Sequence, residues 1–128
     1  MIVDTSAIVA IVLREPGWEN VTARLGAAEA PGIGAPTLAE AGLILTAKMG
    51  TKGRIVLSRL LQEAGLTVIP FAEEHWRVAV EAYARFGKGR HAAALNFGDC
   101  LTYAVTRLAG QPLLFVGDDF SKTDLPSA

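Results

Sequence analysis

Ile2-Val3-Asp4-Thr5-Ser6-Ala7 is the stretch on whose reading the fold depends. A short apolar run ends at a carboxylate, and the segment from Ala7 to Leu13 that follows is too long and too Ala-rich to be the same strand continuing. The order is therefore strand, acid, helix. In an open α/β sheet, ligands bind at the carboxyl ends of the strands, where the next helix points its free amides. Asp4 belongs at such a crevice. Asp, Thr and Ser are also good helix N-caps, so Asp4 taken alone reads as a cap. Its meaning depends on whether other acids reach the same place.

Outward from this stretch, Arg14-Glu15-Pro16-Gly17 breaks the first helix, and Trp18, Val21 and Leu25 mark the stripe of a second. Ile33-Gly34-Ala35 is a short strand candidate, after which Pro36-Thr37 opens another helix. Glu40 is the only charge between Leu38 and Ala47. It is either an acid set in an apolar wall or half of a capping box with Thr37. Both readings place it in the first turn of a helix. Gly50-Thr51-Lys52-Gly53 separates this helix from one striped by Ile55, Leu57, Leu60 and Leu61. The two amphipathic helices from Leu38 to Ala64 offer a surface for self-association, or a plain core hairpin.

Further on, Leu66 to Phe71 reads as a strand, and Trp76, Ala79, Val80 and Tyr83 fall on one helix face. Gly87-Lys88-Gly89-Arg90-His91 is the most basic stretch. A flexible loop there suits phosphate contact by Lys88, Arg90 and His91, or is simply a solvated connection. Asn96-Phe97-Gly98-Asp99 then opens a helix, and Leu114-Phe115-Val116 is an apolar strand that delivers Gly117-Asp118-Asp119 at its carboxyl end. Those two acids could form only a turn.

The bulk numbers bound the answer. A chain of 128 residues, 51% of them hydrophobic, makes one compact domain over residues 1–128 with a real core. No apolar run approaches the roughly 18 residues of a membrane span, and no basic secretion signal opens the chain, so a soluble cytoplasmic protein is expected. The single Cys100 excludes an internal disulfide and any cysteine-based metal site. Twelve basic against thirteen acidic residues give a net charge of -1, so contact with nucleic acid must be local.

The repeated strand–helix order, with four helix-rich crossovers, predicts an α/β fold: a short, mainly parallel sheet of four to five strands with helices on both faces. Parallel strands place their carboxyl ends on one side. Asp4, Asp99 and one of Asp118 or Asp119 would converge there with Glu40 beside them. Four carboxylates in one crevice are costly unless a cation neutralises them, and at least one pKa should rise in its absence. Oxygen ligands select a hard metal, Mg2+ or Mn2+. Metal-assisted attack of water on a phosphodiester is the chemistry such a site fits.

The motifs around Asp4, Glu40 (Thr37-Leu-Ala-Glu-Ala), Asp99 (Leu95-Asn-Phe-Gly-Asp-Cys) and Asp119 (Leu114-Phe-Val-Gly-Asp-Asp-Phe-Ser-Lys-Thr-Asp) resemble those of PIN-domain ribonucleases, in order and over nearly the whole chain. They are most similar to the VapC-type toxins of bacterial toxin–antitoxin pairs. The resemblance implies a PIN-like three-layer fold and a Mg2+-dependent endoribonuclease, with Mn2+ as an alternative metal, that cuts structured RNA and is held inactive by an antitoxin. It implies Asp4 and Asp99 as principal metal ligands, Glu40 as ligand or water-positioning acid, and Asp119, ahead of Asp118, as the residue completing the cluster. A homodimer is also expected. Two rival classes remain: an acid-pocket phosphoryl-transfer domain of phosphatase or receiver type, and a non-catalytic PIN-like module that binds RNA or protein. A phosphatase of the haloacid-dehalogenase type usually shows a second Asp two residues after the first, where Ser6 stands here.

Overall fold

The computed structural model describes all residues from Met1 to Ala128. In chain order the elements are β1 (Ile2–Val3), α1 (Thr5–Leu13), α2 (Trp18–Gly26), β2 (Gly32–Gly34), α3 (Ala35–Met49), α4 (Thr51–Ala64), β3 (Thr67–Ile69), α5 (Glu73–Phe86), α6 (Phe97–Ala109) and β4 (Leu113–Leu114), followed by a 3-10 turn at Phe120–Lys122. The sheet order is β3-β2-β1-β4 and every pairing is parallel, with Ile2 opposite both Gly32 and Leu113. The expected parallel α/β fold is therefore present, with four strands. There are three crossovers rather than four, because each carries a pair of helices.

Topology fixes where a site can form. From β1 the chain steps to β2 and then to the edge strand β3, and it returns over the sheet to β4 on the far side of β1. The winding thus reverses between β1 and β4. A switch point of this kind leaves an open crevice at the carboxyl ends of the two strands. Asp4 ends β1, and the Gly117-Asp118-Asp119 segment follows β4.

Alternation along the short strands divides the core in two. Val3, Ile33 and Leu114 pack with Ile8, Leu25, Leu45 and Leu57 beneath α1 to α4. Ile2 and Leu113 point the other way, against Phe86, Tyr103, Ala104 and Val105 of α5 and α6. Both faces of the sheet are covered, which is why its strands carry almost no polar residues. Close packing of α6 requires small residues on its neighbours: a Cβ on Gly34 would lie 2.9 Å from Val105 Cγ2.

Several local expectations change. The second strand begins one residue earlier than Ile33, and the fourth is Leu113–Leu114, with Phe115 and Val116 already past it. Trp76, Val80 and Tyr83 do share a helix face, but they are 52%, 59% and 44% exposed. Of that stripe only Ala79 is buried, and core contact on α5 falls to it together with Ala82 and Phe86. The loop after α5 is not a free one: Lys88 N–H donates to Leu95 O, Leu95 N–H to Phe86 O, and Arg90 and His91 N–H both to Gly87 O.

Candidate active site

Each acid reaches the crevice by a different route. Asp4 is 5% exposed and caps α1, its Oδ2 accepting the Ser6 N–H at 3.0 Å. The same oxygen accepts the Ser6 hydroxyl at 2.6 Å, and that hydroxyl in turn accepts the Val116 N–H at 3.0 Å. Ser6 therefore ties the acid at the end of β1 to the backbone beyond β4, across the switch point. The cap and the site are one arrangement, so the two sequence readings of Asp4 do not compete.

Glu40 departs from its capping-box reading. α3 begins at Ala35 with Gly34 as a cap that makes no side-chain bond, so Glu40 lies in the second turn. The Thr37 hydroxyl does not meet the Glu40 amide; it pairs with Thr102 Oγ1 at 2.9 Å. Glu40 instead accepts the buried Thr5 hydroxyl at 2.7 Å through Oε1. Its other oxygen lies against the first turn of α6, where a Cβ on Gly98 would approach to 2.7 Å. A side chain there would force the carboxylate to move from this position. Gly98 is a determinant that sequence reading passed over, because its neighbour across the site is far away in the chain.

Asp99 arrives from the start of α6 rather than from a strand end. Asn96 is the N-cap, its side chain accepting the Asp99 N–H at 2.9 Å while Asp99 Oδ2 accepts the Asn96 N–H at 3.1 Å. That reciprocal box leaves the second Asp99 oxygen free to face the pocket. Burial raises the Asp99 pKa to about 6, opposed by the Asn96 bond and reinforced by the negative charges of Asp4, Asp119 and Glu40. Asp4, Asp119 and Glu40 thus all act on Asp99, and Asp118 is not among the groups that do. Asp119 is exposed at the start of the 3-10 turn and its side chain makes no capping bond.

Asp4, Thr5, Ser6, Glu40 and Asp99 line one pocket of about 360 Å³, and Glu15 reaches its rim. Glu15 is a further acid that the sequence placed only in a helix break. No Lys, Arg or His pairs with any of these carboxylates, whereas every ion pair in the molecule lies elsewhere. An all-oxygen, uncompensated donor set matches a hard divalent cation in chemistry. As the side chains stand, no three of them are close enough together to hold an ion.

Of the basic loop, Lys88 and Arg90 are exposed, and the Arg90 guanidinium stands 5.3 Å over the Tyr83 ring. His91 is engaged locally: its Nδ1 accepts the Ala93 N–H at 3.0 Å and its ring meets the edge of Phe86. Asp124 lies apart from the acid group, accepting the Tyr103 hydroxyl at 2.7 Å and facing Arg107 at 3.0 Å and Arg85 at 3.4 Å.

Comparison with known proteins identifies the family and the fold. The PIN domain family matches residues 1–125. Ribonuclease VapC36 of Mycobacterium tuberculosis is 52% identical over 126 residues, covering 98% of this chain and 91% of that one. Ribonuclease VapC of Mycolicibacterium smegmatis is 35% identical over 125 residues, covering 98% and 97%. Among solved structures, the Mycobacterium tuberculosis sarcin-ricin loop cleaving toxin VapC20 superposes with a TM-score of 0.81 at 18% identity, over 99% of this chain and 97% of that one.

Proposed function

This chain belongs to the PIN-domain family of VapC ribonucleases, and on that premise we propose that its acid pocket cuts RNA phosphodiester bonds with a divalent cation, Mg2+ or Mn2+. It is an endoribonuclease of the toxin class. The observation that carries the metal reading is that Asp4, Glu40 and Asp99 line one pocket with no cation beside them, and that Asp99 feels the negative charges of Asp4, Asp119 and Glu40.

Asp4 and Asp99 are the principal ligands of that ion in this reading, and Asp119 completes the set. A bound cation supplies positive charge to a scissile phosphate and lowers the pKa of attacking water. The chain's own residues do the rest. Ser6 holds the Asp4 carboxylate, Thr5 holds that of Glu40, and Glu40 is placed to orient a water or take its proton. Lys88 and Arg90 grip the phosphate backbone outside the pocket, while His91 serves chiefly to fold the loop that presents them. No helix is long and apolar enough to cross a membrane. We place the protein in the cytoplasm with its RNA substrate and a cognate antitoxin that restrains it.

We also propose a homodimer, and the structure moves its motive. α3 and α4 pack on each other with Leu45 and Leu57 buried, which leaves only Leu43 and Ile55 prominent on that hairpin. The broader apolar face is a groove between α5 and α6 lined by Trp76, Val80, Tyr83, Phe97 and Leu101. Val80→Glu should shift the protein to monomer in light scattering, and an unchanged mass would refute this face as the contact.

Incubation of the purified protein with total tRNA tests the activity. Cleavage should need Mg2+ or Mn2+ and disappear in excess chelator and in Asp4→Asn and Asp99→Asn variants that remain folded. Undiminished cleavage in chelator would refute the metal mechanism.

A further inference from the structure

Beneath the acids lies a buried pair of hydroxyls that the chemistry above does not use. Thr37 and Thr102 are 3% and 1% exposed, and their Oγ1 atoms are 2.9 Å apart across the α3–α6 contact. Thr37 is three residues before Glu40, and Thr102 is three residues after Asp99. A spacing of three puts each hydroxyl on the same face as its acid, one turn away. The pair is therefore one helical turn from each of two acids that line the same pocket.

Other contacts show that this gap is narrow by construction. The Glu40 carboxylate abuts Gly98, where a Cβ would come within 2.7 Å of it, and Gly34 admits Val105 on the same helix. The Thr5 hydroxyl joins both ends of the system, 2.7 Å from Glu40 Oε1 and 3.2 Å from the Thr37 carbonyl. Thr106 donates to the Thr102 carbonyl at 2.7 Å, so its hydroxyl is occupied within its own helix and leaves Thr102 free to face Thr37.

We propose that the Thr37–Thr102 hydroxyl pair is a spacer that sets the α3–α6 separation and thereby the distance between the Glu40 and Asp99 carboxyls. Two hydroxyl oxygens sharing a proton approach to 2.9 Å, whereas two methyl groups in their place require about 3.5–4.0 Å. Valine at both positions keeps shape and burial but widens the gap by roughly 0.6–1 Å. Displacements of about 1 Å in a catalytic constellation cost on the order of 100-fold in rate. Thr37 and Thr102 are positioning residues here, acting through Glu40 and Asp99. The proposal rests on the reading of those two acids as active-site groups.

The test compares the full chain with Thr37→Val/Thr102→Val and with Thr102→Ser, which keeps the hydroxyl. Crystal structures give the Glu40–Asp99 carboxyl separation, titration calorimetry gives Mn2+ affinity, and tRNA cleavage gives kcat and KM. The double variant should show a wider separation, Mn2+ binding weaker by about 10-fold, and a loss mainly in kcat, while Thr102→Ser stays close to wild type. Thr37→Val alone breaks the same bond and replaces the double variant should that one not fold. An unchanged carboxyl separation in a folded valine variant overturns the spacer. A wild-type chain that binds no Mn2+ overturns the metal reading instead, and the separation then judges the spacer by itself.

Discussion

Asp99 and Asp124 are the same side chain in opposite settings, one in the first turn of α6 and the other against Tyr103 and Arg107 further along it. Asp99 is half-buried among Asp4, Glu40 and Asp119, and burial together with those charges lifts its pKa to about 6. Asp124 is also penalised by burial, but the Tyr103 hydroxyl and the Arg107 and Arg85 guanidiniums outweigh that and hold its pKa below the ordinary 3.8. Structure alone would favour giving every carboxylate partners like those of Asp124. The acid pocket withholds them, and a group of like charges without counterions is what a cation-binding site needs and a structural site avoids.

The largest effect that could break this comparison is on cleavage. Asp4→Asn and Asp99→Asn should each lower the rate by two orders of magnitude or more, on the scale of about 10²–10³ for removal of a central electrostatic group. Asp124→Asn should leave it within about two-fold. Equal losses from all three would mean that Asp124 belongs to the site.

Stability should divide the other way. Asp124→Ala leaves the Tyr103 hydroxyl, on a residue only 3% exposed, without its acceptor. A loss of about 1–3 kcal/mol is expected, mostly from that hydroxyl, because the two arginines are more than half exposed and such pairs contribute little. Urea unfolding measures it, and an unchanged midpoint would refute the clamp.

The pH dependence separates the two carboxyls by sign. Asp99 has a raised pKa, so its contribution is intact below 3.8 and is lost as pH rises through about 6. The interval corresponds to at most about 3 kcal/mol, and for a half-exposed group solvent screening reduces this to on the order of 1–2 kcal/mol. Asp124 has a lowered pKa, so its contribution is intact above 3.8 and is lost on acidification below it. Without metal, Asp99→Asn should therefore stabilise the protein at pH 7 and change little at pH 4, since Asn can still accept the Asn96 amide. Thermal melts at the two pH values check this. Melting temperatures that match wild type at both would show that the acids do not repel one another.

The smallest effect belongs to the basic loop. Replacing Lys88 and Arg90 by Ala should weaken RNA binding and reduce the slope of log K against log salt by about 1.4, at roughly 0.7 per lost contact with single-stranded RNA. His91→Ala should act through loop folding and leave the slope alone. Filter binding across a salt series distinguishes the two.

How much of this was legible in the sequence varies with the range of the interaction. Strand, acid and helix at residues 2–13 could be read because apolar length and composition are local. Parallel topology puts Asp4 and Asp119, which follow β1 and β4, on one side of the sheet, whereas Asp99 comes from the first turn of α6 and not from a strand end. Glu40 lines the same pocket as Asp4 and Asp99, but its partner is Thr5 and not Thr37. A capping box is one of its two local readings because Thr37 is near in sequence, whereas Thr102 and Thr5, which claim the Thr37 and Glu40 side chains, are distant in it. The stripe of Trp76, Val80 and Tyr83 gave the helix but not its exposure, because periodicity identifies a face without saying what covers it. Gly98 and Glu15 carried no local signal; their roles exist only once α1, α3 and α6 are brought together.

The central claim is that Asp99 belongs to a cation site and Asp124 does not. Titration calorimetry of Mn2+ into wild type, Asp99→Asn and Asp124→Asn tests it most directly. Wild type and Asp124→Asn should bind with the same affinity, and Asp99→Asn should bind at least 10-fold more weakly, the lower end of what loss of a positioned ligand shell costs. Mn2+ binding that survives unchanged in Asp99→Asn, or that falls equally in Asp124→Asn, would contradict the account.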